Sequence, residues 1–174
     1  MELRETILAE HSKAQTNVII KWVGNSQERF DALFNLFLTD EYRVVQRAAW
    51  PLSYCVIEHP QLIKKHFKEL ITNLHTPQLS DAVKRNTVRL LQHIEIPEEF
   101  HGEILNLCFD YIASPSEAAA VKAFALTVLQ NLAQYYPEIK DEVKIIIEDR
   151  WEAETPAFRS RAKKFMAASN LKLF

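Results

Sequence analysis

The sequence predicts an all-α protein built as a solenoid of stacked helical hairpins, and two repeated patterns support this. Val45, Val83 and Val121 stand 38 residues apart, and mostly apolar or small residues follow each of them at offsets of 3, 4, 7 and 11, along one face of a helix. A second apolar pattern occurs before each of these segments and once more near the C-terminus. Its four copies begin at Phe30, Phe67, Ile104 and Val143. Periods of about 40 residues made from two helices are typical of helical repeat proteins.

Each repeat is therefore expected to be a hairpin of two helices, helix A followed by helix B, in a single domain over residues 1–174. We predict about four hairpins, at 26–58, 60–95, 97–136 and 137–171. Helix B carries the pattern that begins at Val45, Val83 and Val121. Its copy in the fourth hairpin is the weakest, because Arg161 stands where the other copies mostly have a small or apolar residue. A weaker last copy fits a terminal repeat, which caps the stack.

The chain before the first hairpin predicts one further helix over 2–23, within an N-terminal capping segment at 1–25. Leu3, Ile7, Val18 and Trp22 share one face of this helix, and Gly24 is expected to end it. An end repeat otherwise exposes its stacking face, so we interpret the helix as a cap.

Proline and hydroxyl residues mark the expected helix starts. Prolines begin the later A helices, at Pro60, Pro97 and Pro137. For the B helices we expect N-caps from Thr39 or Asp40, from Ser80 or Asp81, from Ser114 in a capping box with Glu117, and from Thr155. Pro51 lies inside the first B helix, but the apolar pattern continues through it, which favours a kinked continuous helix.

Composition excludes several kinds of site. Phosphate-binding loops, dinucleotide fingerprints and nucleophile elbows need closely spaced glycines, and this chain has only Gly24 and Gly102. Cys55 and Cys108 fall at apolar helical positions and are expected to be reduced thiols in the core. Without a signal-peptide pattern or an apolar run of about 18 residues, we expect a cytoplasmic protein with no membrane partner.

The titratable residues form no pattern typical of an active site. The six histidines show no i, i+4 pair and no Cys-x-x-Cys neighbour, spacings that place metal ligands on one helix face. No Ser/His/Asp set stands out. We therefore expect no catalytic residue, no metal and no cofactor.

The repeats resemble those of the HEAT and armadillo superfamily. The resemblance rests on Asp40 with Val45 to Ala49, on Asp81 with Val83 to Arg85, and on Val121 with Lys122. These match a turn aspartate and a valine followed by a basic residue early in helix B. The resemblance implies a right-handed α-α superhelix whose B helices line a concave binding face.

The charges of the two helix types differ in sign. The predicted B helices hold ten basic and five acidic residues, whereas the third and fourth A helices each have a net charge of −4. The candidate binding face consists of basic B-helix residues: Arg43, Arg47, Lys84, Arg85, Arg89, Lys122, Arg159 and Arg161. The favoured function is a protein-interaction module whose partner presents an acidic segment.

The alternative is a nucleic-acid-binding protein. One family of glycosylases for alkylated DNA is built from HEAT-like repeats and grips the phosphate backbone with a basic concave face, and Trp50 is the one tryptophan on a predicted B helix. The net charge of −2 argues against this alternative, because nucleic-acid-binding domains are usually strongly basic.

Overall fold

The computed structural model describes residues 1–173, which contain ten α-helices and no β-strand. The helices are α1 Leu3–Ala9, α2 Lys13–Val23, α3 Gln27–Thr39, α4 Tyr42–Glu58, α5 Phe67–Asn73, α6 Asp81–Leu91, α7 His101–Ala113, α8 Ala119–Leu132, α9 Ile139–Arg150 and α10 Pro156–Ala168. Short 3-10 segments occur at Pro60–His66, Glu98–Phe100 and Trp151–Ala153. The predicted all-α class is confirmed.

The contacts within the chain define two compact units. The first spans Met1–Ile94 and contains α1 to α6, and the second begins at Glu95 and contains α7 to α10. The B helices predicted from sequence are α4 and α6 in the first unit and α8 and α10 in the second. The assignment of the whole chain to one domain stays a prediction.

Helix α4 is the centre of the first unit, because it packs against α1, α2, α3 and α6. Its buried side chains are Val44, Ala48, Ala49, Pro51, Leu52, Ser53, Cys55 and Val56. The small residues Ala48 and Ala49 let neighbouring helices approach closely. The prediction places the repeated apolar pattern one residue too late in α4. Val44 is fully buried, whereas Val45, the predicted first residue of the pattern, is partly exposed.

The helix is continuous through Pro51, as predicted. Two polar residues near the proline link α4 to α6. The hydroxyl of Ser53 donates to the Trp50 carbonyl at 2.8 Å and lies 3.4 Å from Oδ1 of the buried Asn86. Asn86 in turn donates to the Ala82 carbonyl at 2.8 Å, so these buried polar groups have partners.

The predicted single helix at 2–23 is wrong, because the structure contains two helices there. Glu10 has an extended backbone, with φ −152° and ψ 147°, and Ser12 starts a new helix by accepting from the Gln15 backbone N–H at 3.1 Å. Gln15 then donates from its side chain to the Thr6 carbonyl at 2.6 Å. Gly24 ends α2 as predicted, with a φ of +49° that a side chain would strain.

The second A helix is also more divided than its pattern suggested. A 3-10 segment over Pro60–His66 precedes the short α5. The Gln27 side chain donates to the Leu62 carbonyl at 3.0 Å, which gives that carbonyl a partner outside its own segment. Leu62, Ile63 and Phe67 still reach the core.

In the second unit, α8 lies against both α7 and α10. Its fully buried residues include Val121, Val128 and Leu129, and those of α10 include Phe158 and Phe165. This burial matches the apolar positions that the repeat pattern assigned to these two helices.

The predicted N-caps are only partly correct. Ser80 caps α6 and Thr155 caps α10, each accepting from a backbone N–H of the first turn. The capping box at Ser114 is wrong, because α8 begins only at Ala119 and Ser114 instead accepts from the Ser116 N–H within the preceding turn. The cap at Thr39 or Asp40 is wrong as well, since α4 begins at Tyr42.

Replacing Thr155 by alanine should therefore destabilise the protein, whereas the same change at Ser114 should not. We expect a loss of ~1 kcal/mol in the free energy of unfolding for Thr155→Ala, the usual effect of losing an N-cap side chain. For Ser114→Ala we expect a change within about 0.5 kcal/mol, because its side chain caps no helix. Urea unfolding of both variants measures this, and equal losses would contradict the assignment.

Candidate functional site

The outward stripe of α4 is the best-defined surface in the first unit. Arg43, Arg47, Trp50 and Tyr54 follow one another at helical spacing and share one side of α4, while most of the remaining circumference is buried. The packing of α4 buries most of its other side chains, so this basic and aromatic stripe is a large part of its accessible surface, together with the exposed ends at Tyr42 and Glu58.

Arg89 of α6 joins this stripe. Its guanidinium carbon lies 4.2 Å from the centroid of the Tyr54 ring, a close cation–π contact. A hydrogen bond from Arg89 lowers the pKa of Tyr54 against the opposing effect of burial, and Trp50 and Lys13 act in the same direction as Arg89. The phenol, the indole and two basic groups thus lie close together.

The N-terminal segment borders this cluster. The imidazole of His11 meets the Trp50 ring edge-on, with the ring centroids 5.6 Å apart. His11 is exposed and precedes α2, and Trp50 itself stays partly exposed.

Arg47 has a structural role that the sequence did not reveal. Its guanidinium donates to the Leu8 carbonyl at 2.7 Å and reaches the Ile7 carbonyl at 3.4 Å. These carbonyls lie in the last turn of α1, where a basic side chain replaces missing helical partners. Arg47 holds α1 on α4 and is not a free positive charge for a ligand.

The other candidates of the first unit differ in exposure. Arg43 and Arg85 are exposed, and no ion pair with either occurs among residues 1–173. Lys84 is partly buried. Of the predicted residues, Arg43 and Arg85 therefore stay exposed on α4 and α6, and Arg89 is partly exposed where it stacks on Tyr54.

The second unit contradicts the assignment of Lys122 to an open face. Lys122 is only 2 % exposed, and its Nζ lies 2.6 Å from Oε1 of Glu154, which is buried too. Arg150 donates to the same Oε1 at 2.8 Å. A buried ammonium needs such a partner, because removing an unpaired charge from water is very costly.

The carboxylate between these two cations has a perturbed pKa. Burial raises the pKa of Glu154, but hydrogen bonds and charge from Lys122 and Arg150 outweigh burial, so the net pKa lies below the usual value of 4.5. The group is a buried carboxylate that two cations stabilise in its charged form. It connects α8 to the segment between α9 and α10.

Arg159 and Arg161 also differ from the expectation. Arg159 donates to the carbonyls of Trp151 at 2.8 Å and Glu152 at 3.0 Å, and its guanidinium lies 5.7 Å from the Trp151 ring centroid. It therefore secures the turn before α10. Arg161 is partly buried on α10.

Asp31 and His66 form structural contacts in the first unit. Asp31 accepts from Lys65 at 2.6 Å and contacts His66 at 2.7 Å, while His66 also stacks on Phe34 with centroids 4.3 Å apart. Within residues 1–173, no group of three or more His, Cys, Asp or Glu side chains is placed to hold a metal ion.

The two cysteines are buried and free. Burial raises the pKa of Cys55 to about 12 and raises that of Cys108 as well, so neither is a thiolate near neutral pH. Across the part of the chain that the structure describes, no helix is both long and apolar enough to cross a membrane.

Loss of the buried ammonium should strongly destabilise the second unit. We expect Lys122→Met to lower the free energy of unfolding by ~3 kcal/mol, because Glu154 stays buried with one cation fewer. Lys164→Met is the matched control, since Lys164 is exposed on α10 and its replacement should cost less than about 0.5 kcal/mol. Chemical denaturation compares the two, and equal effects would contradict the buried ion pair.

The same pair predicts a pH dependence of stability. Because the pKa of Glu154 is lower in the folded chain than its usual 4.5, its stabilising effect is complete above pH 4.5 and is lost as pH falls through the folded value. The stability difference between the wild type and Glu154→Gln should therefore shrink below pH 4.5. Urea unfolding at pH 7, 5 and 3.5 tests this, and a difference that grows on acidification would refute it.

The comparisons with known proteins agree with the repeat architecture. The family model described as "HEAT repeat domain" matches residues 3–169. No curated protein and no solved structure matches the chain. Since the family match covers well over half of the chain and the described residues form helices and no strand, this protein belongs to the HEAT repeat domain family.

Proposed function

We propose that this protein is a non-catalytic interaction module that binds an acidic segment of another protein through one surface of its first unit. This surface, the α4–α6 face, consists of Arg43, Trp50, Tyr54, Arg85 and Arg89. The observation that carries the proposal is the stacking of Arg89 on Tyr54 beside Trp50. The exposed Arg85 lies one helical turn from Arg89, and the exposed Arg43 shares the side of α4 that carries Trp50. HEAT repeats typically mediate protein interactions, which supports this class of function.

The chemistry of the α4–α6 face fits an acidic protein ligand. Arginine and the large aromatic residues are the side chains most enriched at the energetic centres of protein interfaces. Arg89 is already ordered by the Tyr54 ring, so fixing it on a carboxylate loses less conformational freedom than fixing a mobile side chain. Guanidinium groups also bind carboxylates through two parallel hydrogen bonds.

Nucleic acid is the second candidate, and one observation favours it. Trp50 and Tyr54 lie beside basic groups, and aromatic rings among cations are also how proteins bind single strands. Against this, the chain carries a net charge of −2, and three of the predicted basic residues, Arg47, Lys122 and Arg159, are engaged within the fold. Too few free cations remain for a tight grip on phosphates.

The cytoplasm is the compartment that we propose for this interaction. Both cysteines are free and buried, which suits a reducing environment.

Charge reversal on the α4–α6 face should abolish binding of an acidic ligand. We expect Arg43→Glu/Arg85→Glu to weaken binding of a fluorescent peptide made of glutamates and spaced leucines by at least about tenfold, through lost attraction and added repulsion. Lys64→Glu/Lys68→Glu makes the same change in net charge on exposed residues of another segment and should leave the affinity within about twofold. Fluorescence anisotropy gives both dissociation constants.

Two results would count against the proposal. Equal affinities of the two double variants would show that the α4–α6 face is not the binding surface. Alternatively, labelled duplex or single-stranded DNA that binds more tightly than the peptide at about 50 mM salt, with a steep salt dependence, would favour the nucleic-acid function.

A further inference from the structure

A groove on the second unit has the opposite character from the α4–α6 face. It is an open depression of about 570 Å³ formed by α7 and α9. Its lining residues are Gly102, Leu105, Asn106, Phe109, Asp110 and Glu142. The first five recur at helical spacing on one side of α7, and Glu142 lies on α9.

The floor of this groove is apolar. Leu105 and Phe109 are one helical turn apart on α7, and both are partly exposed although large side chains of this kind usually turn into the core. The core side of α7 is occupied by other residues, among them Ile104, Cys108 and Ile112. Leu105 and Phe109 therefore leave part of their apolar surface exposed in the groove.

The rim of the groove is acidic. Asp110 and Glu142 are exposed, and within residues 1–173 neither carboxylate makes a side-chain hydrogen bond or an ion pair. No lysine or arginine lines the groove. Lys140 and Lys144 each stand two residues from Glu142 on α9, which places them on another side of the helix, and Lys144 pairs with Glu148 at 2.9 Å.

The apolar surface continues along α9 beyond the groove. Ile145 is 65 % exposed and stands three residues after Glu142, on the same side of the helix. Asp149 follows one turn later and is exposed too. Ile145 therefore lies between the carboxylates of Glu142 and Asp149, so apolar and acidic side chains continue side by side along α9.

We propose that this groove, lined by α7 and α9, docks a basic amphipathic segment of a partner protein. An apolar side chain of the segment would lie on Leu105 and Phe109, and its lysines or arginines would face Asp110 and Glu142. Charge complementarity selects this occupant, because an acidic or neutral segment would leave both carboxylates beside the contact without a cation. The proposal uses no residue of the α4–α6 face and does not depend on it.

Gly102 allows a direct test of whether the groove itself is used. A Cβ atom added at this position meets no other atom within 4 Å, so a side chain there would enter the open groove without disturbing the core. Gly102→Trp should therefore fill the groove while leaving its charges unchanged. Asp110→Lys/Glu142→Lys does the reverse, since it inverts the charge of the rim and keeps the apolar floor.

The probe is a fluorescent peptide of lysines with leucines spaced to share one helix face. We expect Gly102→Trp and Asp110→Lys/Glu142→Lys each to weaken its binding by at least about tenfold in anisotropy titrations. The matched control Glu58→Lys/Glu152→Lys changes net charge equally at exposed positions that do not line the groove and should stay within about twofold of the wild type. A peptide with serine for every leucine should bind much more weakly than the original.

Several outcomes would overturn this proposal. Unchanged affinity in Gly102→Trp, or equal losses of affinity in the control and the rim variant, would mean that nonspecific electrostatic attraction binds the peptide and that the groove does not. Self-association of the wild type that is lost in Asp110→Lys/Glu142→Lys would mean that a second copy of the chain covers the groove. Circular dichroism and thermal unfolding of each variant confirm that a loss of binding is not a loss of folding.

Discussion

The burial of α4 on most of its circumference is the constraint on which the first unit depends. A hairpin of two helices cannot bury its own apolar residues, so α4 must be covered by α1, α2, α3 and α6 together. Among its central turns, the stripe that carries Arg43, Trp50 and Tyr54 stays at least partly accessible. Packing therefore decides which residues can meet a partner, and it places aromatic rings beside a guanidinium group on that stripe.

Periodicity predicted the helices well because burial itself is periodic. Val83 and Val121 are fully buried at the positions that the repeat pattern assigned to them. At Val45 the pattern is off by a single residue, because α4 buries the neighbouring Val44 instead. Helix starts were harder to predict. A hydroxyl residue before an apolar run suits either a cap or a tight turn, and Ser114 stabilises a turn where Thr155 stabilises a helix.

The roles of the basic residues could not be predicted, because a count of charges ignores what neutralises them. The partner of Lys122 is Glu154, 32 residues away, and the acceptor of Arg47 is a carbonyl 39 residues away. Neither separation leaves a sequence pattern. Lys122 also follows the buried Val121 directly, so the valine-plus-basic pair that resembles HEAT repeats here marks an internal ion pair and not an exposed face.

Net charge is a poor guide to the partner of such a protein. Salt confines the effect of an exposed charge to ~8–10 Å, so a ligand responds to the charges beside it and not to the total of −2. Around Tyr54 those charges are Arg89 and Lys13, and around Phe109 they are carboxylates. Because each set stands against exposed aromatic or aliphatic surface, the apolar contact can supply affinity while the charges decide which ligand is accepted. A repeat fold permits this difference, because the outward residues of one helix pair can be substituted without altering the core that the pair shares with its neighbours.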